Sequence, residues 1–219
     1  MEPLSNCHNC GEPLKSHWKM CPVCGKEYHA GVEAALTAVN KTTDDYLKSA
    51  KFYFENRIIH STTKRGIEEA LKELEEGIKQ FPANTELLIA YGDCLNFCPG
   101  RQRDAIDTFT KLLQIDPEND IGYSLRASVN YSMTNYDLAI DDWSKAIEYR
   151  KDDSKYAPFS GHSVSLSSNY YNRGSLYKMQ EKYELTIADL TKAAELTKIS
   201  YMYNVYMEEL KKVQKKLGE

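Results

Sequence analysis

Four of the six cysteines crowd into the first 24 residues, as Cys7-x2-Cys10-Gly11 and Cys21-x2-Cys24-Gly25. In a reducing compartment such pairs remain thiols, and four convergent thiolates suit tetrahedral Zn²⁺ at Zn–S distances of about 2.3 Å. Gly follows each pair, where the turn that aims both sulfurs at one metal calls for a residue tolerant of positive φ. Four sulfur ligands leave no open coordination position. The expected ion is therefore a single structural Zn²⁺ held by Cys7, Cys10, Cys21 and Cys24, and its binding supplies the folding free energy of a segment too short to have a core. His8 and His17 could substitute as ligands, but with four Cys available they read as solvated loop residues. A redox dithiol or a pair of disulfides are the alternatives. Against them, MEPLSNCHNC lacks the basic stretch and apolar run of a secretory signal, and redox CxxC motifs belong with a βαβ context absent here.

Residues 5–28 resemble the zinc-ribbon family, in which two CxxCG knuckles at the tips of short hairpins hold one structural zinc, and CPVCG at 21–25 is the closer match of the two. The resemblance implies a small zinc ribbon with four cysteine ligands over residues 1–29, followed by a connector over 30–42.

No other residues present a catalytic pattern. His60 and His162 have no Cys, Ser or carboxylate partner at motif spacing, and no Gly-rich phosphate loop occurs. The Asp pairs 44–45, 141–142 and 152–153 read as helix termini or solvated faces, and Cys94 and Cys98, four apart, as small apolar packing residues. The expectation is a protein that is not an enzyme, so function must come from surfaces.

Composition bounds the elements that carry those surfaces. A chain of 219 residues, 42% apolar and 27% charged, is an ordinary soluble one, although 16 Tyr against 6 Phe is unusual. Seven Pro and 11 Gly are too few for a loop-rich β-protein, which leans towards helix. The formal charge of −4 gives no footprint for nucleic acid or anionic membrane. No apolar run approaches the roughly 18 residues of a membrane span, so the expected location is cytoplasmic.

Helical periodicity then organises the chain. Tyr170–Leu196 reads as two amphipathic helices broken at 179–182, a hairpin that cannot bury its apolar stripes alone and needs stacked copies. The copies are present. Ala70/Leu74, Ala105/Phe109, Ala139/Trp143 and Thr186/Leu190 repeat a small-x3-large pattern at spacings of 35, 34 and 47 residues, the last exceeding 34 by 13. Pro82 and Pro117 stop two of the second helices, and Gly92, Ala127 and Gly174 put a small residue 12 or 13 positions ahead of the later three.

This pattern resembles the tetratricopeptide-repeat family, whose 34-residue unit runs W-x2-L-G-x2-Y, A-x3-F, P. It reads here as Tyr170-x2-Arg173-Gly174-x2-Tyr177, as Tyr123-x2-Arg126-Ala127-x2-Asn130 and as Leu88-x2-Tyr91-Gly92-x2-Leu95. The implied fold is all-α, a right-handed superhelical array of helical hairpins preceded by the small ribbon. Residues 43–199 would hold three full repeats and a divergent N-terminal one, in which Thr43 is read as the cap of a first helix running to about Ile59. An insertion falls at about 151–168, and 200–219 form a capping helix with Tyr203, Tyr206, Leu210, Val213 and Leu217 inward.

The resemblance also implies a concave groove, lined by the first helices, that binds a peptide or partner protein. The matching positions are Ile89, Asp93 and Asn96, then Ser124, Ser128 and Tyr131, then Tyr171, Ser175 and Lys178, flanked by Glu86, Phe97, Ile121 and Met179. The Lys and Asn with which some members grip a C-terminal carboxylate are replaced by Ile89, Asp93 and Ser128, so chaperone-tail binding is not expected. The alternative is a nucleic-acid-associated factor whose ribbon contacts RNA or DNA while the repeats recruit partners. Lys15, Lys19, Lys26 and Trp18 could contribute, but Glu2, Glu12 and Glu27 balance the three lysines. A zinc centre with four thiolates adds about two negative charges, which disfavours phosphate. The identity of the partner and the oligomeric state are not written in the sequence.

Overall fold

The computed structural model describes residues 5–6, 13–14, 41–48, 50–51, 64–150 and 164–218, with backbone alone for the first two pairs and for 64–66. The chain divides into two compact units, Met1–Asp45 and Tyr46–Glu219.

In the first unit, β1 (Ser5–Asn6) and β2 (Pro13–Leu14) pair antiparallel, with Ser5 opposite Leu14 and Asn6 opposite Pro13. Cys7, Cys10, Cys21 and Cys24, with His8 and His17, lie outside the described residues, as does most of the expected connector. At the end of this unit the cap is Thr42, one residue earlier than the sequence reading placed it. Its hydroxyl accepts from the Asp45 N–H at 3.4 Å while Asp45 Oδ2 accepts from the Thr42 N–H at 3.0 Å. The T-x-x-D spacing allows this reciprocal pairing, which satisfies two otherwise orphaned donors.

The second unit is helical among its described residues. After the stretch begun at 43, of which 52–63 lie outside the described residues, run α1 (Lys64–Gln80), α2 (Thr85–Asn96), α3 (Gln102–Ile115), α4 (Asp120–Ser132), α5 (Tyr136–Tyr149), α6 (Leu166–Met179), α7 (Tyr183–Leu196) and α8 (Ser200–Leu217). Each helix packs on the next along the chain, and α2 also reaches α4.

Local chemistry distinguishes the two helices of each hairpin. The first helices carry side-chain caps: Asn84 accepts from the Leu87 N–H, Asn119 from Gly122 and Ser165 from Ser168. The second helices have none, and follow turns that depend on backbone geometry. The α2–α3 turn uses Gly100 at φ 82°, whereas the tighter α4–α5 and α6–α7 turns place Thr134 and Glu181 in the left-handed region at φ 62° and 58°. α6 starts at Leu166, so 166–168 belong to that helix and not to the insertion, of which 151–163 lie outside the described residues. The end of the connection is tied down: Val164 is buried and its carbonyl accepts from Arg150.

Small residues permit the close approach within each hairpin. A Cβ on Gly92 would meet the Phe109 ring at 2.6 Å, and one on Gly174 would meet Asp189 Cβ at 3.0 Å. Phe109, Trp143 and Leu190 fill the space opposite and are all buried. Among the described residues the largest apolar cluster runs from Tyr46 through Leu74, Leu87, Leu95 and Phe109 to Leu125. The C-terminal repeats have smaller ones, Ala127–Ala139–Trp143–Leu176 and Ala193–Ala194–Tyr206. On α8 the buried stripe is Tyr206, Leu210 and Val213; Tyr203 and Leu217, expected to face inward, are exposed. Cys94 is buried within α2, and Cys98, just past its end, donates its thiol to the Cys94 carbonyl. Burial pushes both thiols above their ordinary range, as befits packing residues.

Candidate peptide-binding groove

The groove is built on helices held at fixed spacing by a repeated polar clasp. Arg126 on α4 donates from Nε and Nη2 to both oxygens of Asp142 on α5, at 2.9 and 2.7 Å, and from Nη1 to Thr110 on α3 at 3.0 Å. Forty-seven residues on, Arg173 on α6 does the same to Asp189 on α7, at 2.8 and 2.8 Å, and to Ser144 on α5 at 2.9 Å. Tyr123 and Tyr170 lie under the two guanidinium groups, each 5.5 Å from ring centroid to Cζ. Each clasp joins a hairpin's own helices and ties them to the preceding second helix. Asp142, read from the sequence as a solvated carboxylate, is thus a buried ion-pair partner. The signal for it was present in the repeated Tyr-x2-Arg with an Asp 16 residues beyond the Arg.

The nine sequence-predicted groove residues form three columns, and the structure treats them unequally. Ile89, Asp93 and Ser124 are 3%, 0% and 1% exposed and cannot meet a partner as placed; Ser124 instead donates to Asn169 Oδ1 at 2.6 Å across α4 and α6. Asn96 is half-buried at the end of α2. Lys178 is exposed but paired with Glu209 of the cap, which also accepts from Lys212 at 2.8 Å. These two lysines hold the Glu209 carboxyl below its ordinary range.

The other four come together. Ser128, Tyr131, Tyr171 and Ser175 line a recess of about 380 Å³ between α4 and α6, with Trp143 and Asn172. Tyr131, 46% exposed, tilts against Tyr136 at 5.9 Å and against Trp143 at 6.0 Å. Trp143 is 2% exposed, and its Nε1 is closed off from solvent without an acceptor. Tyr171 stacks on Tyr206 of α8, with centroids 4.6 Å apart and planes inclined by 28°. The sequence reading missed Trp143, which it assigned wholly to the space between hairpins, and Tyr206, which it assigned to the cap stripe alone.

Successive hairpins of about 34 residues, with small residues at the crossing and an amphipathic terminal helix, decide the architecture. The array has the tetratricopeptide-repeat fold. A tetratricopeptide repeat protein from Parabacteroides merdae superposes with a TM-score of 0.57 at 18% identity, over 78% of this chain and 60% of that one. A MamA protein does so with a TM-score of 0.51 at 20% identity, over 77% and 90%. MamA 41-end from Desulfovibrio magneticus RS-1 gives 0.50 at 22%, over 76% and 94%. No family model and no curated protein matches the chain. Among the described residues no helix of the tetratricopeptide array is long and apolar enough to cross a membrane, and no group of three or more His, Cys, Asp or Glu is placed to hold a metal.

Proposed function

We propose that this protein is a non-enzymatic interaction module that binds an extended segment of a partner protein along the tetratricopeptide groove, centred on the recess between α4 and α6. The observation that supports this reading is the convergence of Ser128, Tyr131, Tyr171 and Ser175, from two successive first helices, around one open recess. Tyr rings supply rigid contact area at low entropic cost, and such residues dominate binding hot spots. A photo-crosslinking residue at Tyr131 should give a discrete adduct in the native cell, while one at Leu138, exposed on α5, should not. Equal labelling from both positions contradicts the reading.

The N-terminal segment is proposed to be a ribbon over 1–29 with one structural Zn²⁺ on Cys7, Cys10, Cys21 and Cys24, joined by a connector to an array ending in the 200–219 cap. The donor set suits zinc, and the β1–β2 pair brackets residues 7–12, the stretch of sequence that contains the first two cysteines. Thiols of this kind fit a reducing compartment such as the cytoplasm. Metal analysis of freshly purified, reduced protein should return about one equivalent of zinc. Less than half an equivalent contradicts the site.

A further inference from the structure

The chemistry of the recess narrows the partner. Among the described residues, no charged one lines it. Three serines do, and each has committed its proton to its own helix: Ser128 donates to the Ser124 carbonyl at 3.0 Å, Ser132 to Val129 at 2.7 Å and Ser175 to Tyr171 at 2.8 Å. A hydroxyl whose proton is spent keeps only lone pairs for a newcomer. The aromatic lining adds the negative faces of π-systems, with Tyr131 open to solvent and Tyr171 covered by Tyr206 on one side. The one donor of the indole, Trp143 Nε1, is shut away from the opening. Serine lone pairs and ring faces, with the neutral Asn172 amide and the two phenol hydroxyls, thus border a space to which the neighbouring groove cation, Lys178, contributes nothing, since it is held by Glu209.

An anion entering would find no cation to balance it, only the neutral donors of the Asn172 amide and the phenol hydroxyls. A neutral aliphatic side chain would leave the serine oxygens unmatched. A guanidinium satisfies both features at once: it is planar, weakly hydrated, stacks on aromatic rings and carries a fan of N–H donors. An ammonium has the charge but not the plane. We propose that the recess is a receptor for an arginine side chain of the bound segment, stacked on Tyr131 and donating to Ser128 and Ser175. This rests on the groove reading above and assigns that site its specificity.

The test uses the full-length protein and a random heptapeptide library displayed on phage, selected on wild type and counter-selected on Tyr131→Ala. The expected result is an Arg enriched at one register position of the groove-dependent peptides. In the best of them, Arg→Lys should weaken binding several-fold and Arg→Leu by tenfold or more, and Ser128→Ala/Ser175→Ala should weaken the Arg peptide by several-fold while leaving the Leu peptide unchanged. The serine variants should melt close to the wild type, since each loses only a hydrogen bond to a carbonyl of its own helix, which adds little to helix stability. Groove-dependent peptides lacking Arg, whether acidic or aliphatic, overturn the arginine assignment and leave the groove reading standing. Binders indifferent to Tyr131→Ala, or no binders at all, overturn both.

Discussion

The N-terminal and C-terminal halves of the array solve the same packing problem with different chemistry. At the position held by Arg126 and Arg173 the α2–α3 hairpin has Tyr91; where those arginines find Asp142 and Asp189 it has Thr108; and where they find Thr110 and Ser144 it has Glu75. Burial first, and then the charge of Glu75, pushes the Tyr91 phenol above its ordinary range, with Arg101 pulling the other way. That half is joined by a continuous apolar cluster running from Tyr46 to Leu125, while the other half has small clusters and two bidentate ion pairs. The repeat spacing thus tolerates either an apolar seam or a polar clasp, and the clasp accompanies the half that leaves a recess open on its first helices. An ion pair needs fixed geometry to offset desolvation, so it registers one helix against the next where apolar packing is thin.

Substitutions can break this contrast. Phe109→Ala empties the centre of the apolar half and should cost about 4 kcal/mol in chemical denaturation, because the Gly92 backbone and its neighbours relax only partly into the space. Asp142→Ala strands Arg126, a guanidinium only one-fifth exposed, and should cost about 2–3 kcal/mol. The double change Arg126→Leu/Asp142→Leu should return to within about 1 kcal/mol of wild type, since no charge is then left unpaired. A double variant no better than the single one would show that the clasp is not an ion-pair effect. Thr134→Gly, which relieves a left-handed Thr in the α4–α5 turn, should raise stability by about 0.5–1 kcal/mol, whereas Gly100→Ala in the corresponding N-terminal turn should lower it by a similar amount.

The smallest effect concerns the cap. Lys178 and Lys212 depress the Glu209 carboxyl, so its contribution is present above the ordinary carboxylate range near about pH 4.3 and is lost as pH falls through the lower folded value. The protection of α8 amides, relative to intrinsic exchange at each pH, should therefore fall on acidification, and Glu209→Gln should flatten that dependence at a cost of less than about 1 kcal/mol at neutral pH. An unchanged acid profile in the variant would remove Glu209 from the account of the cap.

Much of the architecture was legible because close helix crossings need small residues, and these recur at Gly92, Ala127 and Gly174 with their bulky partners Phe109, Trp143 and Leu190 at nearly the same offset. The end of α6 and the start of α7 follow from the break in helical periodicity at 179–182. The start of α6 was not legible: Ser165 is one of several serines in a row, and only its hydrogen bond to the Ser168 N–H singles it out as the cap. Groove residues were legible only as a register. Ile89, Asp93 and Ser124 occupy the right columns yet are closed over, because exposure depends on which neighbour lies across the interface, as Asn169 does for Ser124. The columns are open at Ser128, Tyr131, Tyr171 and Ser175. Trp143 escaped notice because one side chain serves both the inter-hairpin space and the floor of the recess.

The groove can be tested most directly by measuring the dissociation constant of a partner captured at Tyr131, by titration calorimetry against wild-type protein and Tyr131→Ala of equal melting temperature. The account predicts at least a tenfold weakening, or about 1.4 kcal/mol, for the variant. Equal affinity for the two proteins would contradict it.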